Sequence, residues 1–295
     1  MIIPTHLQIE PLNGLCTARC TMCSYASWTR KPYRMTEEEF ERILTKFLPY
    51  REQLQYLSLQ GWGETLLDKG IVEKVQIAKR MGFQGVGFAT NCTELERYAM
   101  QLLYFGLDTL ICSIDGATAK THESIRVGTN FRKIVENIHR VINLRLIYGY
   151  TTKILIRFIR QKANAHEWEA FKAYWEQQIN PACGDAVISF DVVDCDGKIK
   201  DYEGKDVLGG VGVPMICDQI NQRMIILSNG DVSLCCGDDN GKFNIGNVFT
   251  DDPIELYNGP VFTYYRAMMA QGRIGELDIC RGCTIPRSEE RKDRA

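Results

Sequence analysis

Three cysteines, Cys16, Cys20 and Cys23, fall in the run Cys-Thr-Ala-Arg-Cys-Thr-Met-Cys, spaced C-x3-C-x2-C. Structural zinc takes four ligands in a closed tetrahedron, so three thiolates with no close fourth donor suit it poorly. A four-iron cubane held by three cysteines leaves one iron open to a small molecule. A second set, Cys217, Cys235, Cys280 and Cys283, is spaced C-x17-C, then a long gap, then C-x2-C. Four thiolates would saturate a [4Fe–4S] cluster, which suits electron transfer better than ligand binding. The same spacing permits a four-cysteine zinc site. Cys236 could replace Cys235 as a ligand. Successive residues at a strand end point opposite ways, so only one of the two should face a cluster. The chain's four histidines all lie away from these groups, which argues against a mixed cysteine–histidine zinc finger.

Twelve cysteines in 295 residues are many for a chain without a secretion signal. The N-terminus lacks a basic region followed by a long apolar stretch. Reduced thiols and a cytoplasmic location are therefore expected. No apolar run reaches the ~18 residues of a membrane span, so no membrane partner is expected. Net charge is −2, from 35 basic and 37 acidic residues, so no global attraction to nucleic acid is expected. Hydrophobic residues at 45% and charged residues at 24% describe an ordinary globular chain. Of the other thiols, Cys112 reads as a small core residue, Cys183 as inert, and Cys92 as near the site. Cys195 and Cys236 are the candidates for a functional thiol.

The elements that must position these residues alternate. Strands are expected over 6–10, 56–60, 85–90, 109–114, 153–159 and 187–193. Helices are expected over 71–81, 95–104, 131–146 and 168–179. A further helix starts at the capping box Thr36-Glu37-Glu38-Glu39 and buries Phe40, Ile43, Leu44 and Phe47. About six β–α units argue for an α/β fold, a partial (β/α)6 barrel, with chemistry at the C-terminal ends of its strands. The pattern changes near Gly197. A small α+β unit should follow, with a hairpin, Met224–Leu227 and Asp231–Leu234, around Ser228-Asn229-Gly230. A helix over 253–269 is expected beyond it. The expected domains are 1–196 and 197–295.

In this order the motifs resemble those of the radical S-adenosylmethionine (SAM) enzymes with a C-terminal twitch domain, a shorter relative of the SPASM domain. The resemblance covers essentially the whole chain. It implies two [4Fe–4S] clusters, one on Cys16, Cys20 and Cys23 and one on Cys217, Cys235, Cys280 and Cys283. Gly246-Asn247-Val248 resembles part of the twitch pattern. The first cluster, reduced by an external flavodoxin- or ferredoxin-type donor, would cleave SAM to a 5′-deoxyadenosyl radical that takes hydrogen from a substrate carbon. Gly61-Trp62-Gly63-Glu64 resembles the family's SAM segment: the glycines would admit the methionine part and Glu64 would accept from its ammonium. Thr65 stands where the family often has proline. Ser113, in Ser-Ile-Asp-Gly, would contact SAM, and Arg126 would pair with its carboxylate. Met22 stands where an aromatic residue usually packs near adenine.

The short twitch enzymes that the chain resembles act on small polar molecules. The expected reaction is oxidation of a secondary alcohol of a sugar or aminocyclitol, with the second cluster taking an electron. Alternatives are radical epimerisation with a cysteine as hydrogen donor, modification of a peptide, and a non-catalytic four-cysteine metal protein.

Overall fold

The computed structural model describes residues 1–192, 217–280 and 283. Eleven elements build the barrel framework in chain order: β1 (His6–Ile9), α1 (Glu37–Phe47), β2 (Tyr56–Leu59), α2 (Ile71–Arg80), β3 (Val86–Thr90), α3 (Leu95–Tyr104), β4 (Thr109–Ser113), α4 (Ala119–Ile125), α5 (Phe131–Tyr148), β5 (Lys153–Arg160) and α6 (Trp168–Glu176). Strand β6 (Ala186–Asp191) follows, then α7 (Asp218–Gln222), β7 (Arg223–Ile226), β8 (Asp231–Ser233), β9 (Asn244–Asn247), α8 (Pro253–Tyr257) and α9 (Pro260–Ala270).

Strands β1 to β6 pair in parallel, each beside the next in sequence. That is the expected six-stranded parallel framework. Alternation along the strands decides which side chains enter the barrel. In β1, Leu7 and Ile9 turn to the outer core, and His6, Gln8 and Glu10 occupy the other face. In β5, Ile154, Ile156 and Phe158 are fully buried, while Arg157 and Ile159 line an inner cavity. The outer face is covered by amphipathic helices. The capping box at Thr36 is present, and Phe40, Ile43, Leu44 and Phe47 are buried.

The C-terminal hairpin extends this sheet. Strand β7 pairs in parallel with β1, in register from His6↔Arg223 to Ile9↔Ile226. Strands β8 and β9 follow antiparallel at the sheet's edge. Gly230 closes the hairpin with φ +86, a conformation that glycine adopts without strain. The single helix expected over 253–269 is two, α8 and α9. Proline disfavours helical backbone at the residue before it, and Gly259 is accordingly extended ahead of Pro260. Helix α4 was not foreseen; Thr118 caps it by accepting from Thr121 N. The expected domain boundary near residue 197 lies outside the described residues.

Candidate active site

A cavity of about 370 Å³ opens at the C-terminal ends of the parallel strands. Its walls include Cys16, Cys20, Met22, Cys23, Gly61, Gly63, Glu64, Ser113, Arg126 and Cys236. The fold therefore gathers residues separated by more than two hundred positions. Cys195 lies outside the described residues.

The cysteine loop leaves β1 and is laced to the segment after β2. Gly14 N donates to Trp62 O at 2.9 Å, and Glu64 N to Leu15 O at 2.8 Å. Both glycines are required by close approach within the chain. A Cβ on Gly61 would stand 2.3 Å from Glu10 Cγ, and one on Gly63 3.0 Å from the carbonyls of Leu12 and Leu15. Glu64 is buried, and its carboxylate accepts from Leu66 N, from Thr90 Oγ1 at 2.6 Å and from Asn91 N at 2.9 Å. A carboxylate has about four acceptor positions, so room for one more donor remains. Burial raises the Glu64 pKa.

Strand β4 carries Ser-Ile-Asp-Gly. Ser113 Oγ accepts from Arg157 Nη2 at 2.6 Å. Asp115 is buried, accepts from Ile159 N at 2.7 Å and pairs with Arg126 Nε at 2.7 Å. Gly116 is needed because a Cβ there would meet His122 N at 2.6 Å. Arg126 reaches the cysteines through a two-residue antiparallel pairing, Arg19↔Val127 and Cys20↔Arg126. Its Nη1 lies 3.8 Å from Cys20 Sγ.

The thiols themselves fit iron–sulfur ligation. Burial raises the pKa of Cys16 and of Cys20. Buried thiolates therefore need nearby donors or cations. Ala18 N donates to Cys16 Sγ at 3.4 Å, and the Tyr25 N–H serves Cys23. The same arrangement, an amide two residues on, recurs in the second set. Gly237 N donates to Cys235 Sγ at 3.3 Å, and the amides of Gln219 and Ile220 serve Cys217. Burial pushes Cys217 up to about 11, with Cys236 and Cys283 adding to it, and Cys280 up to about 12, with Cys283 and Cys217 adding. The Cys235 thiol is raised by its hydrogen bond with Cys236 and then by burial. These mutual influences place the C-terminal thiols in one neighbourhood. Among the described residues, no three His, Cys, Asp or Glu side chains converge as around a single ion. The ligands of a cubane attach to separate irons.

Other cavity residues were not singled out from the sequence: Gln8, Trp28, Gln60, Trp62, Asn91, Arg157 and Arg223. Arg157 did leave a signal, as a charge inside the apolar run Lys153–Arg160. Cys92, also near the site, is fully buried and has φ +64, a conformation that glycine adopts more readily. Burial and its neighbour Cys112 hold the Cys92 thiol protonated.

Residues 11–158 match the radical SAM superfamily, and residues 217–284 match an iron–sulfur cluster-binding domain, SPASM. The chain belongs to the radical SAM superfamily. It is a radical SAM enzyme with a C-terminal SPASM/twitch domain, and its cofactors are SAM and two iron–sulfur clusters. Among curated relatives it is 25% identical over 213 residues to a 7,8-dihydro-6-hydroxymethylpterin dimethyltransferase of Methanocaldococcus jannaschii, covering 67% of this chain and 39% of that one. It is 30% identical over 144 residues to molybdenum cofactor biosynthesis protein 1 of Homo sapiens, covering 48% of this chain and 22% of that one. The chain thus spans well under half the length of either relative. Among solved structures it is similar to BtrN in complex with AdoMet and 2-DOIA, with TM-score 0.64, 17% identity, and 96% and 94% of the two chains covered. It is also similar to Streptococcus suis SuiB bound to the precursor peptide SuiA, with TM-score 0.69, 15% identity, and 98% and 71% covered. A third similar structure is anSMEcpe with AdoMet and the Kp18Cys peptide, with TM-score 0.68, 17% identity, and 95% and 89% covered. At these identities the likeness is one of fold.

Proposed function

We propose that this enzyme oxidises a secondary alcohol of a small polar substrate, a sugar or aminocyclitol, with the second cluster as electron acceptor. The observation that carries the reading is the position of Cys236. It lines the same cavity as Cys16, Cys20 and Cys23, while its neighbour Cys235 is buried and takes the Gly237 amide. A cluster on Cys217, Cys235, Cys280 and Cys283 therefore borders the reaction cavity. When bound, SAM and the first cluster supply the radical that takes hydrogen from carbon.

The chain's own residues hold and orient. Cys16, Cys20 and Cys23 present sulfur, with Arg126 offsetting charge at Cys20. Glu64 offers a carboxylate oxygen to the SAM ammonium, and Ser113 and Arg126 offer donors to its carboxylate. Met22 offers apolar surface to its adenine. The strands β1 to β6 and the loops after them line this site from one side, and Arg223 and Cys236 of the C-terminal part line it from the other. An external one-electron donor of flavodoxin or ferredoxin type completes the system.

The position of Cys236 also favours a second reading, epimerisation, in which its thiol returns a hydrogen to the opposite face of the substrate. Turnover in D2O separates the two. Oxidation gives a product two mass units lighter with no deuterium at the reacting carbon, and Cys236→Ala keeps product formation. A product of unchanged mass in H2O and one unit heavier in D2O, lost in Cys236→Ala while 5′-deoxyadenosine still forms, overturns oxidation. Retention of product in that variant overturns the thiol's role. A peptide substrate is the remaining reading, and turnover of peptides but not of sugars or aminocyclitols would establish it.

A further inference from the structure

Two arginines enter the cavity without a carboxylate ion-pair partner among the described residues. Arg157, from β5, donates Nη2 to Ser113 Oγ, and its buried Nε has no hydrogen-bond partner among the described residues. Arg223, from β7, donates Nε to His6 Nδ1 at 3.1 Å and Nη1 to Gln8 Oε1 at 3.2 Å. Both acceptors are neutral. Burial, then Arg223, lowers the His6 pKa to about 3, so His6 orients the guanidinium without balancing its charge. Among the described residues no carboxylate forms an ion pair with Arg157 or Arg223.

The remaining charged groups of the cavity do not cancel this excess. Asp115 is paired with Arg126; burial and then Arg126 bring the Arg157 pKa down to about 10, against the attraction of Asp115. Glu64 is buried beneath and held by Leu66, Thr90 and Asn91. Bound SAM would add a net single positive charge, which the first cluster with its three thiolates, singly negative when oxidised, would offset; neither supplies a partner to Arg157 or Arg223. A buried charge without a partner is costly, and a guanidinium fork is shaped to take a carboxylate or phosphate.

We propose that the substrate carries an acidic group, a carboxylate or a phosphate, which Arg223 and Arg157 bind inside the cavity. The inference rests on the reading of this cavity as the substrate chamber and narrows it. Substrates whose only charge is a protonated amine are disfavoured, and sugars or cyclitols bearing an acid group are favoured. Arg223 comes from the C-terminal hairpin, so the docking of β7 on β1 sets this preference.

The test uses reconstituted holoenzyme saturated with SAM, so that the SAM carboxylate site is filled. Trp28 and Trp62 line the cavity and report binding by fluorescence. Inorganic phosphate and lactate are the anionic probes, and glucosamine is the cationic one. At least one anion is expected to give saturable quenching that glucosamine does not. Arg223→Gln and Arg157→Gln should each weaken it about tenfold or more, the effect of one lost charge-assisted hydrogen bond. Arg132→Gln, an exposed helix position paired with Glu136, serves as the control and should bind as the parent does. Quenching by phosphate alone or by lactate alone identifies the acid group. Quenching by glucosamine alone, or anion binding unchanged in both arginine variants, overturns the proposal. Reductive SAM cleavage is followed in parallel in the parent protein. Cleavage without anion binding removes the acidic-substrate assignment alone, whereas a parent that binds anions but cannot cleave SAM removes the enzymatic reading beneath it.

Discussion

Arg126 is the residue on which several roles converge. It pairs with buried Asp115, lies beside Cys20 and faces the cavity. Removing it outright would strand Asp115, a loss of about 3–5 kcal/mol for a broken buried pair. Arg126→Lys is therefore the better probe. A lysine can keep the ion pair but has no planar fork to reach SAM as well. SAM affinity by calorimetry should fall about tenfold or more while far-ultraviolet circular dichroism stays unchanged. Affinity equal to the parent would remove Arg126 from the SAM site. His122 makes a different prediction. It is fully buried and accepts from Asp115 N, and burial followed by Arg126 lowers its pKa to about 3. The unfolded chain binds a proton near pH 6.5 and the folded chain does not, so stability falls as pH drops below 6.5 toward 3. At pH 5 the loss from this group is about 2 kcal/mol. Urea unfolding of the parent and of His122→Gln at pH 7.5 and pH 5 measures it, and the variant should lose that much less.

At the scale of elements, Glu10 joins three of them. It is fully buried at the end of β1 and forms a two-pronged pair with Arg30, its Oε2 lying 2.5 Å from Nη2. It also accepts from Trp62 N in the SAM segment and from Ser228 N in the C-terminal hairpin. Gly61 leaves the space that its side chain fills. Glu10→Ala leaves two amides without an acceptor and Arg30 with only Ser228 Oγ, and should cost about 3–5 kcal/mol. Thermal unfolding checks the loss, and Gly61→Ala, which pushes a methyl into Glu10, should also lower the midpoint. A midpoint within 1 °C of the parent for Glu10→Ala would show that the hairpin is held by other contacts. Helix α1 contributes some of these, through Arg42 Nη2 to Phe249 O and Lys46 Nζ to Asp251 O, both at 2.8 Å.

Across the whole molecule, the pairing of β7 with β1 accompanies the arrival of Cys236 at the cavity that Cys16, Cys20 and Cys23 line. The iron content should report both thiol groups. Anaerobically reconstituted protein should hold about eight irons, from two cubanes. Replacing Cys16, Cys20 and Cys23 together with alanine should leave about four and abolish SAM cleavage. Zinc bound tightly at Cys217, Cys235, Cys280 and Cys283, with no more than four irons in the parent, would show that the C-terminal domain is structural.

The sequence by itself determined the elements and the kinds of chemistry. Apolar periodicity marked β1 to β6 and their helices, because burial of one face demands a repeat of 2 or 3.6 residues. Cysteine spacing pointed to the first cluster, whose three ligands are close in the chain, whereas the widely spaced second set left zinc open until the family resemblance was added. Glu64, Ser113 and Arg126, expected from the resemblance of their segments to family motifs, line one cavity. Tertiary structure alone decided what distant segments do to one another. The pairing of Cys20 with Arg126, the arrival of Arg223 beside His6 and Gln8, and the need for Gly61 to clear Glu10 all depend on strand register. The hydrophobic pattern fixes which face of each strand is buried, but which residues of distant strands stand opposite one another is settled only when the sheet packs. The break between α8 and α9 had a local trace in Gly259-Pro260, which the apolar pattern across it concealed. Whether Cys235 or Cys236 turns to the cavity likewise depends on where the hairpin docks, since either residue has the same side chain and only the surrounding amides and strands distinguish them.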